Sequence, residues 1–180
     1  MLLSTPTFLR GYMRRVEAKQ LQSLDYVITG AEKLPDSLAE SFRDKFGILP
    51  MEGYGLTETS PATNVNLPDP VLEGEAPIIH TNRRGSVGKF LPGIAVKMTD
   101  PATGEPCPID TQGTIWLRGA NVFSGYLDNR KKTDAVITDG WFNTGDIGRV
   151  DKDGFLFIEG RLSAKLVLNR SKYDSSRNAL

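Results

Sequence analysis

The 180-residue chain has one cysteine, Cys107, and one histidine, His80. A lone cysteine excludes an internal disulfide framework and any multi-cysteine metal site, and a lone histidine excludes a metal site built from two or more. Net charge of one sign is also missing, because 22 basic side chains balance 22 acidic ones. No global field therefore draws the chain to nucleic acid or to an anionic membrane surface. No apolar run approaches the ~20 residues that cross a bilayer. Met1-Leu2-Leu3 gives way at once to Ser4-Thr5-Pro6, too short for a secretory signal core. The expectation is a cytoplasmic protein without nucleic-acid partners or a transmembrane segment. A hydrophobic fraction of 39% and a charged fraction of 24% are those of a folded globular chain. An enzyme, a piece of one and a binding module remain open.

The first half alternates helix and strand. Thr5-Pro6 reads as an N-cap followed by proline at the first helical position. Leu9, Tyr12, Met13 and Val16 then form one apolar stripe, leaving Arg14, Arg15 and Lys19 to solvent. Leu24 to Thr29 reads as a buried strand ending at Gly30. A second helix from Pro35 places Leu38, Phe42 and Phe46 on one face and ends at Gly47, a left-handed cap position. Ile48 to Glu52 is the next expected strand. Strand, helix and strand make a βαβ unit with parallel strands. Ligands bind beyond the carboxyl ends of such strands, which here lead into Gly30-Ala31-Glu32-Lys33 and Gly53-Tyr54-Gly55-Leu56-Thr57-Glu58-Thr59.

Pro61 to Gly93 is rich in proline, glycine and asparagine, and reads as a long loop between subdomains. Short strand-like runs follow at Ile94–Met98, Thr114–Leu117, Ile147–Val150 and Phe155–Ile158. Asp100 to Gly104 and Asp151 to Gly154 supply turns between them. The expected architecture is α/β: the parallel βαβ part of a doubly wound sheet, followed by a small antiparallel β subdomain. Its expected divisions are 1–66 (the βαβ part), 67–93 (a linking loop), 94–163 (the β subdomain) and 164–180 (a divergent tail).

Several signatures fail on spacing. Glu58 stands where a dinucleotide fingerprint starting at Gly53 needs its third glycine, and Arg83 where a Walker loop ending at Lys89 needs its first. Asp151, Asp153 and Gly154 do not fit a calcium loop. Two segments fare better. In Gly53 to Ser60 a glycine-flanked aromatic offers a flat face to a purine. There the hydroxyls of Thr57, Thr59 and Ser60 can donate to phosphate oxygens, and Glu58 can ligate a magnesium ion that bridges them. In Gly140-Trp141-Phe142-Asn143-Thr144-Gly145-Asp146 a carboxylate just past a turn could accept hydrogen bonds from ribose hydroxyls. Taken singly, each also reads as an ordinary turn.

Their order is informative. Tyr54-Gly55-Leu56-Thr57-Glu58, Gly113 through Gly125-Tyr126, Thr144-Gly145-Asp146 and Gly160-Arg161 resemble, in sequence and spacing, the signature of the adenylate-forming, AMP-binding superfamily. Its members include acyl- and aryl-CoA ligases, acyl-carrier-protein synthetases and luciferases. Thr5-Pro6-Thr7-Phe8-Leu9, Gly30-Ala31-Glu32-Lys33-Leu34 and Gly160-Arg161-Leu162-Ser163 look most like fatty-acid ligases. Among these the resemblance is nearest to the acyl-acyl-carrier-protein synthetase portion of bacterial 2-acylglycerophosphoethanolamine acyltransferases. That likeness extends the expected location, for a longer parent protein, to the cytoplasmic face of the inner membrane.

The resemblance implies ATP or AMP and magnesium as cofactors, a fatty acid as substrate, and an acyl carrier protein or CoA as thiol acceptor. Gly30, Ala31 and Glu32 would line the adenine through their backbone, and Tyr54 would stack on it. Gly53 and Gly55 would let the backbone approach the acyl-adenylate. Thr57 would contact the α-phosphate and Glu58 the magnesium ion, the pair acting as the catalytic residues. Asp146 would bind the ribose hydroxyls with Arg161 beside them, and Ser163 would occupy a hinge where the family more often has Asp or Lys.

Two cationic elements of the family have no counterpart: an upstream Ser/Thr/Gly-rich loop ending in lysine, and a lysine late in the C-terminal domain. The resemblance therefore implies a fragment that does not catalyse the reaction alone. The competing expectation is a non-catalytic nucleotide-binding or structural relic of the same fold. A docking surface built on Arg83-Arg84 or Lys131-Lys132 has less to recommend it, since such short pairs are commonly solvated.

Overall fold

Thr5 caps the first helix as its position before Pro6 predicts: its hydroxyl oxygen accepts from the Phe8 N–H at 3.3 Å. The computed structural model describes residues 1–70 and 79–162. The chain folds as two units, Met1–Pro92 and Gly93–Leu180.

In the first unit, β1 (Leu2–Ser4) precedes α1 (Pro6–Arg15), and β2 (Val27–Thr29) precedes α2 (Asp36–Phe46). Three strands follow: β3 (Met51–Tyr54), β4 (Asn64–Val65) and β5 (Lys89–Phe90). They form one mixed sheet in chain order, with β1, β2 and β3 parallel and β4 and β5 added antiparallel. The expected βαβ unit is present, with Ile28 beside Met51 and Thr29 beside Glu52. Its strands are shorter and later than the apolar runs suggest, because Leu24–Tyr26 lies outside β2 and Ile48–Pro50 outside β3. Leu9, Val27, Leu38, Phe42 and Phe46 close the core under the helices. Gly47, at φ 76°, ends α2 as expected, donating its N–H to the Arg43 carbonyl.

The stretch expected to be a plain loop from Pro61 to Gly93 carries β4 and β5. Side chains hold these segments where two-residue strands cannot hold themselves. Asn66 is 2% exposed. Its amide nitrogen donates to the Ser86 carbonyl at 2.7 Å and the Glu52 carbonyl at 3.2 Å, and its oxygen accepts from the Arg83 N–H at 2.9 Å. A buried amide with this many partners fixes the segments it joins. Asp69 similarly accepts from the Thr81 and Asn82 N–H groups and pairs with His80 at 3.0 Å.

The second unit is an antiparallel sheet in the order β10-β9-β7-β6, formed by β6 (Ala95–Thr99), β7 (Gly113–Arg118), β9 (Trp141–Val150) and β10 (Leu156–Arg161). A short helix, α3 (Arg130–Val136), and a two-residue strand, β8 (Ile137–Thr138), precede β9 and are additions to the architecture expected from sequence. Asp139 and Gly140, both at positive φ, make the tight turn from β8 into β9. Ile115, Leu117, Phe142, Ile147, Phe155 and Leu156 are buried. The Asp151–Gly154 turn is as expected, with the Asp151 carboxylate accepting from the Asp153 and Phe155 N–H groups at 3.0 and 2.9 Å.

Candidate functional site

In the first unit the two segments singled out by sequence are neighbours at the carboxyl ends of β2 and β3. A methyl group placed on Gly30 would lie 3.7 Å from the Gly53 carbonyl oxygen. Gly30 donates its N–H to the Ser4 carbonyl at 3.1 Å, tying the loop after β2 to β1. Ala31 follows at φ 67°, a left-handed conformation unusual for a residue with a side chain. The Glu32 carboxylate accepts from the Thr7 hydroxyl at 2.8 and 3.1 Å, and the Leu34 N–H donates to Glu52 Oε1 at 3.1 Å. Burial pushes the Glu52 carboxyl above its ordinary value, opposed by the Leu34 N–H and the Lys33 charge and reinforced by Asp36.

Beyond β3 the chain folds back on itself at Gly55. A Cβ there would stand 1.9 Å from the Pro61 carbonyl oxygen and 2.6 Å from Ala62 Cα, so only glycine fits. Thr57 to Thr59 form a 3-10 turn in which Thr57 is exposed and Glu58 half-buried, and Tyr54, at the end of β3, is half-buried as well. One expectation fails here. The motif would have Thr59 offer its hydroxyl to phosphate, but the residue is fully buried. That hydroxyl accepts from the Leu56 N–H at 2.9 Å and donates to the Leu56 carbonyl at 3.0 Å, which closes the turn. Thr57 is left as the exposed threonine of the motif.

Glu58 presents a single half-buried carboxylate at this turn. No cluster of three or more His, Cys, Asp or Glu able to hold a metal exists among the described residues. Magnesium on nucleotide phosphates typically takes one or two protein carboxylates, the phosphates and water supplying the rest.

In the second unit the expected ribose carboxylate sits at a bulge. β7 and β9 pair Trp116 with Asn143 and then Thr114 with Ile147, so β9 spends two extra residues over that step. Thr144, Gly145 and Asp146 occupy the bulge, with Gly145 at φ 71°. Such a bulge re-aims a side chain without ending the strand. Thr144 pins it: its hydroxyl donates to the Ile115 carbonyl at 2.9 Å and accepts from the Asp146 N–H at 3.0 Å. The Asp146 side chain is 5% exposed and accepts from Arg161 Nε at 2.7 Å, the arginine side chain itself being 60% exposed. Asp146 and Arg161, 15 residues apart, are therefore brought together. Ser163 lies outside the described residues, as does the tail 164–180.

Sequence reasoning did not single out Glu52 or Asn66, and it named Thr144 in a motif without giving it a role of its own. The signal for Glu52 was available, since in a strand it shares a face with Tyr54 two residues on. Nothing marked Asn66, whose partners lie 14 to 20 residues away. An open cleft of about 310 Å³ between α2 and the 66–69 and 82–84 segments includes none of the residues expected to hold nucleotide. Arg84 at its wall is engaged by Asp36 and Glu40, each at 2.8 Å, and so forms no free cationic patch. No described helix is long and apolar enough to cross a membrane.

The parallel βαβ part and the antiparallel sheet together have the α/β architecture expected of an adenylate-forming protein. Residues 1–127 match the AMP-binding enzyme family, and the chain belongs to it. It is 36% identical over 162 residues to a putative acyl--CoA ligase, YdaB, of Bacillus subtilis, covering 89% of this chain and 30% of that protein. It is 33% identical over 159 residues to 4-coumarate--CoA ligase-like 4 of Oryza sativa, covering 87% of this chain and 27% of that protein. Among solved structures, ATP-bound MatB from Rhodopseudomonas palustris superposes with a TM-score of 0.73 at 31% identity, over 89% of this chain and 30% of that one. The chain thus spans about 30% of the length of such relatives.

Proposed function

We propose that this chain carries nucleotide-binding elements of an ATP-dependent acid–thiol ligase. Family membership over residues 1–127 is the observation that carries this reading. In such a reaction a carboxylate oxygen of the acid attacks the α-phosphorus of ATP, and the bond to the β-phosphate oxygen breaks to release pyrophosphate. A thiol sulfur then attacks the acyl carbon and AMP departs. Both reactants of the first step are anionic, so fixed positive charge and oriented donors lower its barrier.

The roles of this chain's residues are to bind and orient. The backbone of Gly30, Ala31 and Glu32 lines the base and Tyr54 stacks on it, while Gly53 and Gly55 give the adenylate close access to backbone. Thr57, exposed at the turn, donates to the α-phosphate. Glu58 would hold a magnesium ion, which neutralises phosphate charge when bound. In the second unit Asp146 accepts from the ribose hydroxyls, its carboxylate oriented by Arg161.

A fatty acid is the proposed acid, on the likeness of Gly30-Ala31-Glu32-Lys33-Leu34 and Gly160-Arg161-Leu162-Ser163 to fatty-acid ligases. The CoA-ligase descriptions of the relatives favour CoA as the thiol over an acyl carrier protein. Non-hydrolysable acyl-sulfamoyl adenosines test this directly. Binding of the long-chain form in preference to the 4-coumaroyl form is expected, and a chain that prefers the aryl form or binds neither would overturn the assignment.

A further inference from the structure

We infer that Glu52 is a positioning residue for the loop that lines the nucleobase, acting by holding the Leu34 N–H rather than by touching the nucleotide. The inference rests on the proposed nucleotide reading and adds a residue which that reading leaves without a role.

Three hydrogen-bonded points fix the loop after β2: Gly30 N–H to the Ser4 carbonyl, the Glu32 carboxylate to the Thr7 hydroxyl, and Leu34 N–H to Glu52. Between the first two stands Ala31 at φ 67°, a conformation that persists only where neighbours over-determine it. The three points are unequal. Thr7 and Glu32 are both exposed, so water competes for their bond. Glu52 is half-buried and is itself anchored, because its carbonyl accepts the Asn66 N–H at 2.9 Å and the Asn66 side-chain amide at 3.2 Å. The carboxylate thus joins the two segments assigned to the nucleotide: it stands on β3, two residues before Tyr54, and grips the loop that begins at Gly30. Loss of that grip frees the loop to leave the geometry in which the backbone of 30–32 faces a base.

The geometry depends on reach more than on charge. Glutamine at this position keeps an oxygen acceptor at the same distance, while aspartate keeps the charge and shortens the arm by one methylene. The test uses the full chain, isotope-labelled, with two readouts: amide hydrogen exchange at Leu34 without ligand, and AMP affinity from amide shifts. Glu52→Asp is expected to speed exchange at Leu34 and to weaken AMP roughly tenfold, the scale of one lost hydrogen bond. Glu52→Gln is expected to retain both, with the thermal midpoints of the two variants close to each other. Unchanged exchange or unchanged AMP affinity in Glu52→Asp overturns the inference while leaving the nucleotide reading intact. A wild-type chain that binds no AMP overturns that reading and this inference with it, and is seen before any variant is made.

Discussion

The two units place their candidate groups by different routes. In the first, the candidate groups belong to loops that leave parallel strands at their carboxyl ends, and much of what they offer is backbone. In the second, the candidate carboxylate sits within a ten-residue strand and is delivered by a bulge. The first route depends on side chains that are small or absent and on clamps at the loop ends. The second depends on a single hydroxyl that fills the gap the bulge opens in the ladder. A strand-end site should therefore fail when backbone is crowded, and a bulge site when its internal hydrogen bonds are cut.

The largest expected effect is on the first route. Gly55→Ala drives a methyl group into the Pro61 carbonyl and is expected to destabilise the protein by more than about 3 kcal/mol, beyond ordinary overpacking. A melting midpoint within a degree or two of wild type would remove the close-approach argument. Next is Thr144→Val, which keeps the shape of the side chain but deprives the Ile115 carbonyl of its donor and the Asp146 N–H of its acceptor. A loss of about 2 kcal/mol is expected by chemical denaturation, with Thr144→Ser recovering most of it. Equal stability of the two variants would show that the hydroxyl does not hold the bulge. Arg161→Ala should cost less than about 1 kcal/mol, because its side chain is 60% exposed and water screens the pair. A larger loss would mean that the second unit needs the ion pair as much as the bulge.

The smallest effect concerns pH and the first unit alone. The His80 ring and the Thr81 and Asn82 N–H groups hold the Asp69 carboxyl down at about 2, below the ordinary 3.8. A depressed carboxyl contributes stability that is present above about 4 and is lost as pH falls through about 2. Asp69→Asn is therefore expected to melt slightly below wild type at neutral pH, with the gap closing as pH falls towards 2. A gap that stays constant over that range would contradict the assignment.

What the sequence made legible follows the same division. Local signals were readable where the physics is local: Thr5-Pro6 at a helix start, Gly47 at a helix end, Asp151 to Gly154 in a turn, and the two glycine-bounded rims. Pairings between distant short segments were not. β1 holds three residues and finds its partner 25 positions away, while β4 and β5 hold two each; no periodicity can be measured over such lengths. Residue type could place Thr57 and Thr59 in one motif but could not say which hydroxyl faces out, because that depends on how the turn closes. The bulge was invisible for a related reason: Thr144-Gly145-Asp146 reads as a turn until the register of β7 against β9 is known. The candidate binding residues were thus named by motif, and the holding roles of Glu52, Asn66 and Thr144 emerged only from the hydrogen bonds.

The most direct test of the central claim is a titration of the isotope-labelled chain with AMP, followed at each backbone amide. Saturable shifts at Gly30–Glu32, at Gly53–Thr57 and around Asp146 are expected, with Asp146→Ala weakening the affinity without unfolding the sheet. The absence of any saturable shift, or an affinity that Asp146→Ala leaves unchanged, would contradict the account.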